Sequence, residues 1–103
     1  MYKIGVYVPK DFAERVKMAM FSAGAGKIGN YEHCSFEFSG VGQFKPLNGA
    51  NPHLGQIDHL EKVEEFRIEM VCEKTFIKEV IQKMKEAHPY ETVAYDVVEC
   101  LDF

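Results

Sequence analysis

The sequence has no tryptophan, four prolines and three cysteines, and its 12 lysines and arginines are outnumbered by 16 aspartates and glutamates. Each shortage removes a class of protein. At a formal charge of -4 the chain lacks the basic stripe that displaces counterions, so neither nucleic acid nor an anionic membrane is an expected partner. Cys34, Cys72 and Cys100 are odd in number and without a CxxC spacing, which leaves no disulfide framework and no zinc knuckle; they read as reduced, mostly buried thiols. No apolar run approaches the roughly 20 residues that cross a bilayer. The opening MYKIGVYVPK has no signal-peptide core, and a cytoplasmic location is expected. What is present is an ordinary globular balance, 47% hydrophobic and 27% charged over 103 residues. That balance excludes disorder and sets the expectation of one domain spanning residues 1–103 with a real core.

The hydrophobic pattern changes period along the chain. Residues 2–8 alternate, with Tyr2, Ile4, Val6 and Val8 on one face and Lys3, Gly5 and Tyr7 on the other, as a pleated strand requires. After Pro9, the apolar residues Phe12, Val16, Ala19, Met20 and Ala23 follow helical spacing, and Gly24 supplies a stop, so a helix is predicted over 10–23. A second strand is predicted over 33–39, with Cys34, Phe36 and Phe38 on the core side and His33, Ser35, Glu37 and Ser39 opposite. Turn formers dominate 40–62, a long loop of the kind enriched in binding or assembly roles. Residues 64–72 alternate again, placing Phe66, Ile68, Met70 and Cys72 against Glu65, Arg67, Glu69 and Val71. Thr75 is the expected N-cap of a helix carrying Phe76, Ile77, Val80, Ile81, Met84 and Ala87 on one face, stopped at His88-Pro89. The run 92–101 reads as the last strand.

This order predicts an α+β, ferredoxin-like βαββαβ sandwich with both helices on one sheet face. The other face, offering Lys3, Tyr7, His33, Ser35, Glu37, Arg67 and Glu69, is mixed in character and is free to be solvated or to pack on another subunit.

Chemistry-bearing residues are sparse. Gly24 to Gly29 spells GxGxxG, but it follows a helix, whereas a dinucleotide site needs those glycines between a strand and the helix that receives the pyrophosphate. A glycine-rich cap and turn explains it, with its amides and Lys27 available to a small anion. The trio His33, Cys34 and Glu37 is split by strand parity, and no nucleophile elbow occurs, so no catalytic residue is assigned. The densest chemistry is His88-Pro89-Tyr90-Glu91, an imidazole, a rigid turn, an amphipathic ring and a carboxylate. Its structural alternative is a corner in which His88 caps the last helix carbonyls and Tyr90 plugs a seam.

The strings GAGKIGNYEHCSFEFSGVGQFKPLNGANPHLG, KVEEFRIEMV and AHPYETVAYDVV resemble the PII/CutA-like insert domain of the YqfO or Nif-three-like family, over Tyr2 to Val98. The piece His88-Pro89-Tyr90-Glu91 is also similar to the divalent-ion tolerance proteins called CutA. The resemblance implies a PII-type trimeric fold and a stand-alone copy of a module that interrupts a two-metal domain in longer members. The metal-binding segments of that domain are absent from this sequence, so no hydrolase activity comes with the kinship.

Three readings follow. The first is a non-enzymatic module that self-associates as a trimer or dimer and binds a small ligand or ion through Lys27, Asn30, Tyr31, His33, His88 and Glu91. The second is a divalent-metal binder in which His33, His88 and Glu91, with a loop histidine from the same or a neighbouring chain, hold zinc, copper or nickel, ions suited to imidazole and carboxylate ligands. The third is a hydrolase.

Overall fold

A computed structural model describes residues 1–103. The elements are β1 (Tyr2–Pro9), α1 (Ala13–Ser22), β2 (Phe36–Phe44), β3 (Glu61–Cys72), α2 (Ile77–Ala87) and β4 (Tyr95–Glu99). A single 3-10 turn leads into each helix, Lys10–Phe12 before α1 and Lys74–Phe76 before α2. The sheet runs β2-β3-β1-β4, and every neighbouring pair is antiparallel. This is the predicted ferredoxin-like sandwich: each helix carries the chain over one strand, so β1 and β2, and β3 and β4, are not sheet neighbours, while β2 and β3 pair directly.

Alternation in β1 and β3 does what period two demands. Ile4, Val6 and Val8 from β1 and Ile68, Met70 and Cys72 from β3 point to the helices and form one buried cluster with Val16, Met20 and Phe21 of α1 and Val80 and Met84 of α2. Fully burying a side chain of this size contributes roughly 1.5–3 kcal/mol, so these residues hold the two layers together. α1 stops at Gly24, whose φ of 118° suits a residue without a side chain. α2 stops because His88 precedes Pro89 and is pushed to an extended ψ of 138°. Thr75 makes no side-chain cap; the 3-10 turn there places it within the turn instead of before it.

Strand two departs from expectation in place and in phase. It begins at Phe36 and runs to Phe44, because His33 takes a left-handed φ of 58° and breaks the extended run. Glu37 pairs with Ile68, and Phe36 and Phe38 pair with Glu69 and Arg67. Directly paired residues share a face, so Glu37 lies on the helix side, where it accepts from Lys17 Nζ at 2.6 Å. Phe36 and Phe38 lie on the open face, 66% and 49% exposed. Cys34 precedes the strand and is half-buried, with Cys100 in the same class and Cys72 alone in the core. The irregular excursion is correspondingly shorter than 40–62, covering 45–60 between β2 and β3. β4 is also shorter than 92–101, since residues 92–94 wrap the corner before pairing starts at Tyr95.

The open face carries a second organising cluster. Arg67 lies flat across Gly5, donating to both Asp96 carboxylate oxygens at 2.7 and 3.0 Å and to Glu69 at 3.2 Å. Its guanidinium stands 4.9 Å from the centre of the Tyr7 ring.

Candidate ligand-binding cleft

Segment 45–60 folds back over the end of the sheet where β1 finishes. Asp58 N donates to the Pro46 carbonyl and closes its neck at 2.6 Å. Asn51 N donates to the Glu91 carboxylate at 3.0 Å, which ties the segment to the corner after α2. His53 adds an edge-on contact to Phe12 with ring centres 5.4 Å apart. The result is a cleft of about 590 Å³ between this segment, the end of the sheet and the 88–94 corner. A volume of this size suits a small organic molecule, and its walls are mainly apolar, as such sites usually are.

Two polar side chains interrupt those walls. Glu65, on the open-face parity of β3, is only 9% exposed and lines the cleft with its carboxylate laid over Gly42, where a β-carbon would overlap Glu65 Oε1. Burial pushes its carboxyl pKa above the ordinary carboxylate range, because water no longer solvates the charge. Tyr90 packs its ring edge-on against Phe44 at 5.7 Å. Its hydroxyl is buried without a hydrogen bond of ordinary geometry. Burial and then the neighbouring Glu65 charge push that hydroxyl up to about 12. The acid and the hydroxyl thus face each other inside the cleft, and each is felt in the titration of the other.

His88 is the corner's fastener. Its Nε2 lies 2.7 Å from the Tyr7 carbonyl and its Nδ1 accepts from Tyr90 N at 3.1 Å. A carbonyl only accepts, so the ring is the neutral Nε2–H tautomer, with both nitrogens occupied. The ring is 6% exposed, and burial holds its pKa below the usual value. The alternative of a cap on the helix carbonyls is replaced by a bond across to β1.

The sequence-nominated residues divide between the two ends of the sheet. His88 and Glu91 stand at the cleft, while Lys27, Asn30, Tyr31 and His33 are exposed on the loop after α1. Gly26 N donates to the Val71 carbonyl, and Val71 pairs with Lys3, whereas His88 is bonded to Tyr7. Four residues of strand put roughly 14 Å between these anchors. His33, His88 and Glu91 therefore do not converge within one chain, and no group of three His, Cys, Asp or Glu side chains is placed to hold a metal. His33 instead stacks on Phe21 with ring centres 4.7 Å apart. The amides of Gly24, Ala25, Gly26 and Ile28 bond to backbone carbonyls of Phe21, Met20, Val71 and Tyr31, so they form no nest for an anion.

Glu65, Tyr90 and Gly42 shape the polar part of the cleft; the sequence singles out Tyr90 only within the His88–Glu91 corner, and none of the three is among the six expected binding residues. By pattern Glu65 is one polar position of an alternating strand, and Tyr90 is either part of the corner's chemistry or a plug in its seam. The one local signal was Gly42, since a glycine inside a strand often marks close approach by another group.

No protein-family model matches the sequence. The chain is 52% identical over 95 residues to a "GTP cyclohydrolase 1 type 2 homolog" of Bacillus subtilis, a match covering 92% of this chain and 26% of the relative. It is 45% identical over 92 residues to the protein of the same description in Mycobacterium tuberculosis, covering 89% of this chain and 24% of that one. The chain thus spans about a quarter of the length of these curated relatives. Among solved structures, a Bacillus cereus protein related to NIF3 superposes with a TM-score of 0.79 at 47% identity, over 93% of this chain and 24% of the other. The periplasmic divalent cation tolerance protein CutA of Archaeoglobus fulgidus superposes with a TM-score of 0.70 at 18% identity, over 100% of this chain and 87% of that one. The second likeness establishes the CutA-like fold alone.

Proposed function

We propose that this chain, which belongs with one segment of the NIF3-like proteins and shares the CutA fold, is a non-catalytic module that binds a small ligand in the Glu65–Tyr90 cleft and works as a homo-oligomer. The observation that carries the reading is a cleft of about 590 Å³ containing Glu65, a residue nine-tenths buried whose carboxylate has no cation against it. A fold retains such a costly group where it has a use.

The name of the curated relatives refers to a GTP cyclohydrolase homologue, and those proteins are about four times as long as the matched segment. We place no hydrolase chemistry in this segment because the cleft lining contains neither serine nor cysteine to act as a nucleophile. Self-association is supported by the open sheet face, which carries Phe36, Phe38 and Val98 exposed along with Tyr7. Burying that surface would add to the small core of a short chain. In this reading Lys27, Asn30, Tyr31 and His33 reach a ligand held at the cleft of another subunit. A zinc, copper or nickel ion would likewise have to draw His33, His88 or Glu91 from more than one chain, and His88 would have to surrender a hydrogen bond to join.

The cleft is tested by nuclear magnetic resonance mapping with a mixture of small aromatic fragments. Shifts concentrated at Gly42, Phe44 and Tyr90 are expected, and a panel that leaves all three unmoved would overturn the binding site. Sedimentation showing monomer alone across micromolar concentrations would overturn the assembly.

A further inference from the structure

The remaining question at the cleft is what chemistry its occupant carries. When ionised, Glu65 offers acceptors and no donor, and no cation in the chain is committed to it. Arg67, two residues along the same strand face, is already engaged by Asp96 and Glu69. Lys45, the one cation in the lining, is exposed. A bound metal ion is a poor complement, since no third His, Cys, Asp or Glu side chain is grouped with Glu65 and another ligand. The walls instead present flat apolar surface. Phe44 and Tyr90 meet edge-on at 5.7 Å, and His53 lies 6.3 Å from Tyr90.

Resting on the ligand-binding reading above, we propose that the cleft takes a planar organic cation, a ring bearing an amidine-type group whose paired N–H donors meet the Glu65 carboxylate and whose face lies against Phe44 and Tyr90. A planar pair of N–H donors matches a carboxylate two-for-two, the strongest geometry available to an ion pair. Aromatic walls favour a cation further, because their π-faces carry negative potential. The Tyr90 hydroxyl, buried beside Glu65 without a hydrogen bond of ordinary geometry, is available to accept from the same edge of the ligand or to donate to a neighbouring ring atom. Gly42 completes the device: the absence of a side chain there lets the carboxylate lie down inside the cleft.

The test is calorimetric titration of the full chain with benzamidine, benzamide and benzoate, three rings of one size that carry a cation, a neutral amide and an anion. Benzamidine is expected to bind one per chain, with benzamide at least ~10-fold weaker and benzoate silent, as the loss of a charge-assisted pair implies. Glu65→Gln should weaken benzamidine by ~10-fold or more without lowering the melting temperature, because it removes a buried charge. Gly42→Ala retains the charge but displaces it, and should give a similar loss. Benzamide or benzoate binding as tightly as benzamidine, with Gly42→Ala still abolishing it, would overturn the cationic assignment while leaving the cleft a binding site. Unchanged benzamidine affinity in Glu65→Gln would overturn the assignment as well. Silence from all three probes and from the fragment mixture would overturn both.

Discussion

Replacing Gly5 with alanine opposes two effects that the structure allows to be weighed. Gly5 sits in the middle of β1, where glycine costs roughly 0.5–1 kcal/mol relative to alanine, so propensity alone says the substitution stabilises. The structure says the reverse. A β-carbon at Gly5 would stand 2.5 Å from Arg67 Cζ and 2.8 Å from Nη1, inside any permitted contact, and the guanidinium would have to swing away. It would leave a two-point pair with Asp96 and a third bond to Glu69, together with its stack on Tyr7. The Arg67 side chain is 16% exposed but that of Asp96 is 44% exposed, so solvent screens the pair. The ion pairs are worth about 1 kcal/mol and the ring contact about 0.5–1 kcal/mol. Subtracting the propensity gain leaves Gly5→Ala destabilising by roughly 0.5–1.5 kcal/mol. In an Arg67→Ala background the obstruction is gone, and the same substitution should stabilise by roughly 0.5–1 kcal/mol. Urea unfolding of the four proteins at one fixed concentration gives the coupling directly. An equal effect of Gly5→Ala in both backgrounds would refute the reasoning, because it would mean that Arg67 does not occupy the space over Gly5.

Three further outcomes follow from burial. Met20 is fully buried between the layers, so Met20→Ala should cost about 2–5 kcal/mol in urea unfolding, and a loss below about 1 kcal/mol would contradict its place in the core. A thiol reagent added to the native protein should label Cys34 and Cys100 quickly and Cys72 only on unfolding, since Cys72 alone is in the core and its thiol pKa is raised by burial; three equal rates would be the contrary result. His88 is held neutral in the fold with its pKa below the ordinary 6.5, so the unfolded ring takes up its proton first. Its contribution is therefore complete above about pH 6.5 and is lost as pH falls from there to the lowered folded value. Unfolding free energies measured across that range should decline for the parent and flatten for His88→Gln, and parallel slopes would count against the assigned tautomer.

How far the sequence could be read depends on which force decides each feature. The core faces of β1, β3, α1 and α2 were legible because hydrophobic burial fixes them, and a one-residue slip would turn Ile4, Val6, Ile68 and Met70 outward. β2 misled for the converse reason. Phe36 and Phe38 look like core residues by composition, but they occupy an edge strand whose inner position is taken by Glu37 paired with Lys17. The left-handed turn at His33 sets that phase, and it follows from how the 26–34 loop closes, with Cys34 N bonded to the Gly26 carbonyl. Long-range closure of this kind leaves no periodic trace. The corner 88–91 was recognisable as chemistry, yet its role depended on a partner 81 residues away, the Tyr7 carbonyl that meets His88. Glu65 was the least legible. In β3 it is one more polar residue on an alternating strand, and only the excursion folding over it converts it into a buried charge.

The open face nevertheless shows the same device used twice, with different endings. At Gly5 a strand glycine lets Arg67 lie flat on the sheet, and at Gly42 another lets Glu65 do so. Arg67 is answered by Asp96 and Glu69, so its burial is compensated and its role is architectural. Glu65 is more deeply buried and is answered by no cation, only by the neighbouring Tyr90 hydroxyl. A glutamine or methionine there would preserve the strand and relieve the desolvation, and replacing buried ionic groups by well-packed neutral ones is often neutral or stabilising. The two charges stand one strand repeat apart on the same face, so chain geometry was capable of pairing both. That the unpaired one is the one roofed by segment 45–60 ties the electrostatic cost to the cleft, and makes occupancy by a positively charged partner the condition under which this surface is satisfied.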